Sequence, residues 1–320
     1  MAKSVTLNNG AVMPLFGLGT WQSKPGEVKA AVEAAVKAGY RHIDGAWAYK
    51  NEKEIGEALK NLFSAGVVKR ENIFITTKLF SYFHHKEDVE KCCKESLSNL
   101  GLDYIDLYLI HGPIPTVFQP DQPDALFPIV DGKLATAIVD HLETWAAMEE
   151  LVKKGLVKSI GISNFNSKQI QRIYDNATIK PANLQVECHA YWPQTELHDF
   201  CKKLNISFTA YAPIGSPGRS TALGGGSEVP MEDPLVLEIA KKHNKTPAQV
   251  LLRWLLQREI CVIPKSVNPG RIQENFNVWD FSLSDEEFKK LGGLKKHSLF
   301  NMTRIPGIKD HPEFPGNEPF

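Results

Sequence analysis

Apolar positions along this chain fall into two alternating rhythms. After Pro25, the residues Val28, Ala31, Val32, Ala35 and Val36 recur every three or four positions, which places them on one face of a helix ending at Gly39. Proline just inside the start and glycine just past the end suit helix termini. The same rhythm predicts helices over 52–63, 86–100, 142–154, 167–174, 196–204, 234–243 and 247–257. Between them lie short runs that are apolar throughout: MPLFGLGTW, RHID, NIFITTK, DYIDLYLIH, VKSIGISN, ANLQVE, ISFTAYA and ICVIPKS. Strands covered on both faces read this way. Strand–helix alternation repeated eight times predicts an α/β fold, the (β/α)8 TIM barrel. VTLNNGAVMP predicts an N-terminal β-hairpin turning at Asn9-Gly10.

The ends of the apolar runs carry chemistry. They finish at Trp21, Asp44, Lys78, His111, Asn164, Gln185, Tyr211 and Lys265. In a parallel barrel these ends open onto one face, where the active site lies. Two long connections, 112–140 and 212–233, are rich in Pro or Gly and leave that same face. Such loops are usually lids or binding loops. The tail 297–320 has no helical period and is expected to form a third wall. No shift in composition marks a boundary, so 1–320 reads as one barrel domain.

Composition narrows the field. With 42% hydrophobic and 23% charged residues, disorder and coiled coil are excluded. Lys+Arg and Asp+Glu are both 37, so no global field recruits nucleic acid or an anionic membrane. Cys92, Cys93, Cys188, Cys201 and Cys261 are odd in number, with no CxxC and no zinc-like spacing. They read as reduced, mostly buried thiols of a cytosolic protein. The N-terminal run lacks the apolar core of a signal peptide, and nothing approaches the roughly 20 apolar residues of a membrane span. No metal is expected. His84-His85 reads as a solvated loop, His42 beside Asp44 lacks further ligands, and Glu187 with His189 on one strand face lacks a third. GxxxxGK[ST] and GxGxxG are both missing, which argues against P-loop and Rossmann sites.

Asp44, Tyr49, Lys78 and His111 make a coherent acid machine. Hydride reduction of a carbonyl leaves negative charge on oxygen and needs a proton donor. A free tyrosine, with a pKa near ~10, is sluggish at neutral pH. A Lys78 ammonium beside it is expected to stabilise the phenolate and lower that value. Asp44 would hold Lys78 and compensate its charge. A neutral His111 would donate from a ring nitrogen to orient the carbonyl. The plainer reading is a buried Asp44–Lys78 ion pair with Tyr49 packed nearby. IPKSVNPGRIQENF suggests a phosphate pocket: Lys265 closes a strand, a helix begins near Pro269, and Arg271 and Asn275 share one helix face. Glu274 there suits an adenine amino group. The alternative is surface charge around a helix cap.

The segments GLGTW, YRHIDGAWAYKNEKEIG, ITTKL, GLDYIDLYLIHGP, GLVKSIGISNFN, QVECHAYWPQ and IPKSVNPGRIQENF resemble the aldo-keto reductases, in particular the aldose and aldehyde reductase branch, over essentially the whole chain. The resemblance implies a barrel that binds NADPH/NADP+ without a Rossmann fold and reduces aldehydes or ketones to alcohols. It implies that Tyr49 is the acid, with Asp44, Lys78 and His111 completing a tetrad. Ser163, Asn164 and Gln185 would hold the nicotinamide amide, and Tyr211 would stack on its ring. Lys265, Ser266 and Arg271 would grip the 2′-phosphate, with Glu274 and Asn275 near adenine. Thr20, Trp21, Ala212, Pro213, Gly215 and Val267 would complete the cofactor walls. Substrate walls would come from Trp21, Trp47, Tyr49, Phe80, His111, Phe118, Phe300 and Met302. The expected protein is a cytosolic monomer acting on a small-molecule carbonyl substrate, with no nucleic-acid or membrane partner.

Departures from the family pattern sharpen this. Many relatives read HWP where this chain has His111-Gly112-Pro113, so an indole wall is missing and a bulky carbonyl, such as a ketosteroid or long-chain aldehyde, becomes admissible. Where relatives often read YSPLG, this chain has Tyr211-Ala212-Pro213-Ile214-Gly215 and loses a hydroxyl contact. Related reductases often carry an acidic residue at the position of Gly218 and lysine at that of Gln22, so the latch over the pyrophosphate is expected to be weaker and NADP+ to leave faster. Three rival readings are a barrel using Lys78 as a Schiff-base nucleophile, a non-catalytic NADPH-binding subunit and a crystallin-like structural protein. The complete tetrad disfavours the last two.

Overall fold

The computed structural model describes residues 3–218, 228–294, 297–300, 302–318 and 320. Strands β1 (Ser4–Thr6) and β2 (Val12–Pro14) form an antiparallel hairpin with Val5 opposite Met13. Its turn is fixed by Asn9, whose Oδ1 accepts from Ala11 N at 3.1 Å. Gly10 there has φ +86°, a conformation that glycine adopts without penalty.

Eight parallel strands follow in chain order: β3 (Leu18–Gly19), β4 (His42–Asp44), β5 (Phe74–Leu79), β6 (Ile105–Ile110), β7 (Val157–Ser163), β8 (Asn183–Glu187), β9 (Ser207–Tyr211) and β10 (Cys261–Val262). Parallel bridges Phe16–Val262 and Gly19–Lys265 join the last strand to the first, so the sheet closes on itself. Gly19 makes that seam possible, because a Cβ there would lie 2.6 Å from the Ile263 carbonyl oxygen. Every residue of β5 and β6 is buried, as their unbroken apolar runs require.

Helices alternate with the strands: α1 (Glu27–Ala38), α2 (Glu52–Ser64), α3 (Lys86–Leu100), α4 (His141–Lys153), α5 (Ser167–Asn176), α6 (Thr195–Lys203), α7 (Pro234–His243), α8 (Pro247–Gln257), α9 (Pro269–Phe276) and α10 (Asp285–Gly292). The buried residues of α1 are the five that its periodicity marks. Asn166 and Thr246 close capping boxes at the starts of α5 and α8.

The structure departs from the sequence reading at several elements. The first run, MPLFGLGTW, splits: Val12–Pro14 belongs to the hairpin and only Leu18–Gly19 is a barrel strand. The last strand is two residues long rather than running to Lys265, because Pro264 has no N–H to give to the ladder. The loop 112–140 is not irregular throughout: Ile129–Val130 pairs with Lys133–Leu134 in a short antiparallel ladder. Helix α10 carries too few apolar positions for a visible period, although its Ser284–Glu287 capping box is legible. Of the loop 212–233, residues 219–227 lie outside the described residues. Among the described residues no helix is long and apolar enough to cross a membrane, and all five cysteines are free and buried.

Candidate active site

A cavity of about 1250 Å³ opens where the strands end. The loop 112–140, the described tail residues and the stretch after β10 contribute to its walls. Strands β4 and β5 bring Asp44 and Lys78 together at its floor, and His111 follows β6 directly. Tyr49 closes a single 3-10 turn, Trp47–Tyr49, just after β4. Lys50, at φ +56°, ends that turn. The four side chains thus come from three neighbouring strands and the loop after one of them.

Their contacts form a chain. Lys78 Nζ donates to Asp44 Oδ1 at 2.7 Å, to the Gly45 carbonyl at 2.7 Å and to Tyr49 Oη at 3.5 Å. Gln185 Nε2 takes the other Asp44 oxygen at 2.8 Å. Lys78 and Asp44 are 1% exposed, so their attraction acts in a poorly screened interior. The Tyr49 and His111 rings meet edge-on with centroids 5.7 Å apart. Asn164 Nδ2 donates to the His111 carbonyl at 2.8 Å, which fixes the strand end that carries the imidazole.

The electrostatics correct one expectation. The Tyr49 phenol is pushed well above its ordinary pKa, not below it, first by burial and then by the Asp44 carboxylate. Lys78 is already paired with Asp44, so the phenol meets an ion pair rather than a lone cation. Burial also lowers the Lys78 ammonium, and the Asp44 charge opposes that shift. Burial, then Lys78, then His84 hold the His111 imidazole down at about 3, so its neutral form prevails at physiological pH. Its Nδ1 is buried and has no hydrogen-bond partner among the described residues. His84 is not solvated: it is 1% exposed and held at about 3 by burial. The Thr144 hydroxyl fixes its carbonyl at 2.7 Å.

Most of the candidate cofactor residues line the same cavity. Ser163 Oγ donates to the Gln185 carbonyl at 2.7 Å, and Tyr211 Oη donates to Asn164 Oδ1 at 3.0 Å. Asn164, at φ +65°, adopts a left-handed conformation that asparagine tolerates. Thr20 Oγ1 donates to the Asp44 carbonyl at 2.8 Å. Trp21, Ala212, Pro213, Ser266, Val267, Glu274 and Asn275 also face the cavity, whereas Gly215 is buried against Pro230 and Leu299 behind it. Lys265 and Arg271 stand at the exposed end of the cavity. Partial burial and the Arg271 charge lower the Lys265 ammonium, against the pull of Glu27. Two cations that repel each other across an open cleft suit an anion. The end of α9 has less to offer than its sequence suggests. Pro269 has no N–H, and the Asn268 side chain accepts from Arg271 N at 3.0 Å. The positive charge at this end of the cavity therefore comes from side chains.

The aldo/keto reductase family model matches residues 15–296. The chain belongs to this family. It is 46% identical to the chicken (Gallus gallus) aldo-keto reductase family 1 member A1, over 99% of this chain and 98% of that protein. The human (Homo sapiens) protein of the same name is 45% identical over 100% of this chain and 99% of its own length. A solved structure of the aldose reductase from Schistosoma japonicum superposes with a TM-score of 0.91 at 47% identity, covering 100% of both chains.

In this aldo/keto reductase the remaining walls are aromatic and aliphatic. Trp21 and Phe300 face each other at 5.8 Å, and Phe300 meets Tyr211 edge-on at 5.8 Å. Phe80 and Met302 line the cavity. Trp47 stands behind Phe80, stacked on it at 5.4 Å. Phe118 is not brought in: it is 51% exposed, with its ring against Tyr82. The sequence reading does not single out Ile114, Phe127, Leu134 or Phe314. These pack with Met302 into a small apolar cluster and line the cavity. Their only sequence signal is an apolar side chain within the stretches 112–140 and 297–320, which have no helical or strand period. Gly112 is on the wall, and a Cβ placed there would meet nothing within 4 Å.

Proposed function

We propose that this chain is a cytosolic NADPH-dependent reductase of aldehydes and ketones, with Tyr49 as proton donor. The observation that carries this reading is the hydrogen-bonded chain Asp44–Lys78–Tyr49 in the cavity that His111 also faces. The residues present fit NADPH. The cavity is large, polar side chains gather around Asn164 and Gln185, and Lys265 with Arg271 marks an anion end. Ser163, Asn164, Gln185 and Tyr211 would hold the nicotinamide end, and Lys265, Ser266 and Arg271 the 2′-phosphate. Bound NADPH supplies a hydride to the carbonyl carbon.

The chain's own task is the proton. Tyr49, kept protonated by burial, donates from Oη as negative charge develops on the carbonyl oxygen. The phenolate left behind is stabilised by Lys78 Nζ, because a hydrogen bond to a charged acceptor is roughly twice as strong as one between neutral groups. Asp44 and the Gly45 carbonyl hold that ammonium in place. His111, neutral, donates to the carbonyl oxygen and orients it. Positioned proton transfer of this kind is typically worth about 10²–10⁴ in rate.

The opening at Gly112 favours a second reading within the same chemistry, a preference for bulky apolar carbonyls. The aliphatic and aromatic cluster around Leu134 supports it. An NADPH-oxidation panel of short aldehydes, sugars, aromatic aldehydes, quinones and ketosteroids tests both readings. Turnover with the bulky apolar members at lower KM is expected. Binding of NADPH without turnover of any carbonyl would leave only the non-catalytic reading.

A further inference from the structure

We propose that Glu187 is a positioning residue that clamps the tail and thereby sets the Phe300 wall of the substrate pocket. Glu187 ends β8, is 5% exposed, and makes contacts that reach far along the chain. Its Oε1 accepts from Leu299 N at 2.6 Å, and its two oxygens share Phe300 N at 3.3 Å. The Ser298 hydroxyl donates to Oε2. His189 Nε2 lies 2.8 Å from Oε1, while Trp192 N donates to His189 Nδ1 at 3.2 Å. That second bond places the ring proton on Nε2, so His189 donates to the carboxylate. The pair Glu187–His189, two metal-ligating types on one strand face, is therefore a donor–acceptor latch. No cluster of three metal-ligating side chains occurs among the described residues.

Every group that meets the carboxylate is a donor, so an ionised acid is the side chain that satisfies them all. What it holds is functional surface. Phe300 sits on the next peptide after Leu299, and its ring is the one that faces both Trp21 and Tyr211. Leu299 is 2% exposed and anchors the other side. Without the clamp, Ser298, Leu299 and Phe300 lose these hydrogen bonds to the barrel, while Asp44, Tyr49, Lys78 and His111 keep all of theirs.

The test compares the intact protein with Glu187→Gln, Phe300→Ala and the double variant. An amide turns a donor toward donors and weakens the clamp without leaving a void. For a bulky apolar aldehyde, KM is expected to rise roughly tenfold in Glu187→Gln, with kcat for a short aldehyde unchanged. The double variant is expected to be no worse than Phe300→Ala, because one wall is lost in both. Additive effects, or equal kcat losses for short and bulky substrates, would overturn the proposal. The kinetic arm rests on the reductase reading, but hydrogen exchange does not. Exchange at the Leu299 and Phe300 amides is expected to accelerate roughly tenfold in Glu187→Gln while β5 and β6 stay protected. Unchanged exchange there overturns the clamp whatever the activity shows. Should Glu187→Gln fail to fold, Ser298→Ala reads the same exchange, and an unaltered rate sinks the idea equally.

Discussion

At the scale of single residues, the site separates two properties that a sequence presents together. Asp44, Lys78 and His111 at strand ends, with Tyr49 in the turn after β4, are legible as a group from the sequence, and the structure brings them together. Their environment is not legible. A phenol beside an ammonium looks acidic on paper, yet here burial and the Asp44 carboxylate raise it. That is a workable state for a donor, since the proton must be present before it is given. In the reaction proposed above, the help from Lys78 would fall on the phenolate, at the moment when charge appears. His84 shows the same limit. Two adjacent histidines suggest solvent, but only the packing of α4 against the turn after β5 decides that His84 is buried.

Elements decide where charge can be used. Helix α9 begins with a proline and a capped Arg271 N–H, so the phosphate site proposed above would draw on the charges of Lys265 and Arg271 more than on the helix start. Arg271→Ala is therefore expected to weaken NADPH binding by roughly 10–100-fold, the worth of charged hydrogen bonds to a phosphate, and NADH binding by much less. Fluorescence titration with the two cofactors checks this, and equal losses for both would remove Arg271 from the phosphate site. Most elements were readable because amphipathic faces and doubly covered strands leave strong periods. The two-residue β10, the short α10 and the ladder inside 112–140 leave weak ones. The closing seam was readable only as a Gly-Leu-Gly whose purpose, close backbone approach at Gly19, needs the partner strand to be seen. Phe118 was misplaced because an aromatic in a loop says nothing about which way the loop folds.

The whole molecule carries buried histidines that make it sensitive to acid. Burial lowers His42 to about 4 and His84 to about 3, from an ordinary 6.5. Both are 1% exposed. Their folded pKa values are depressed, so below pH 6.5 the unfolded chain binds more protons than the folded one. Stability is full above that value and is lost as pH falls toward about 4. At pH 5 each imidazole opposes folding by roughly 2 kcal/mol. Glu287, held at about 2, adds its loss only below its ordinary 4.5, while Glu52, raised by burial, works the other way. Urea unfolding at pH 7 and pH 5 should show a loss of at least roughly 4 kcal/mol, the share of these two histidines, since His111 and His198, lowered by burial to about 3 and about 4, add to it with the same sign. A flat profile would mean that they are not buried as neutral groups.

The central claim is that Tyr49 delivers the proton. Its most direct test is Tyr49→Phe, measured for both NADPH affinity and carbonyl turnover. NADPH binding within about twofold of the parent and a kcat lower by at least roughly 10² are expected, since the ring stays and only the donor leaves. Turnover at the parent rate with a phenylalanine at position 49 would contradict the account and move the proton to another group.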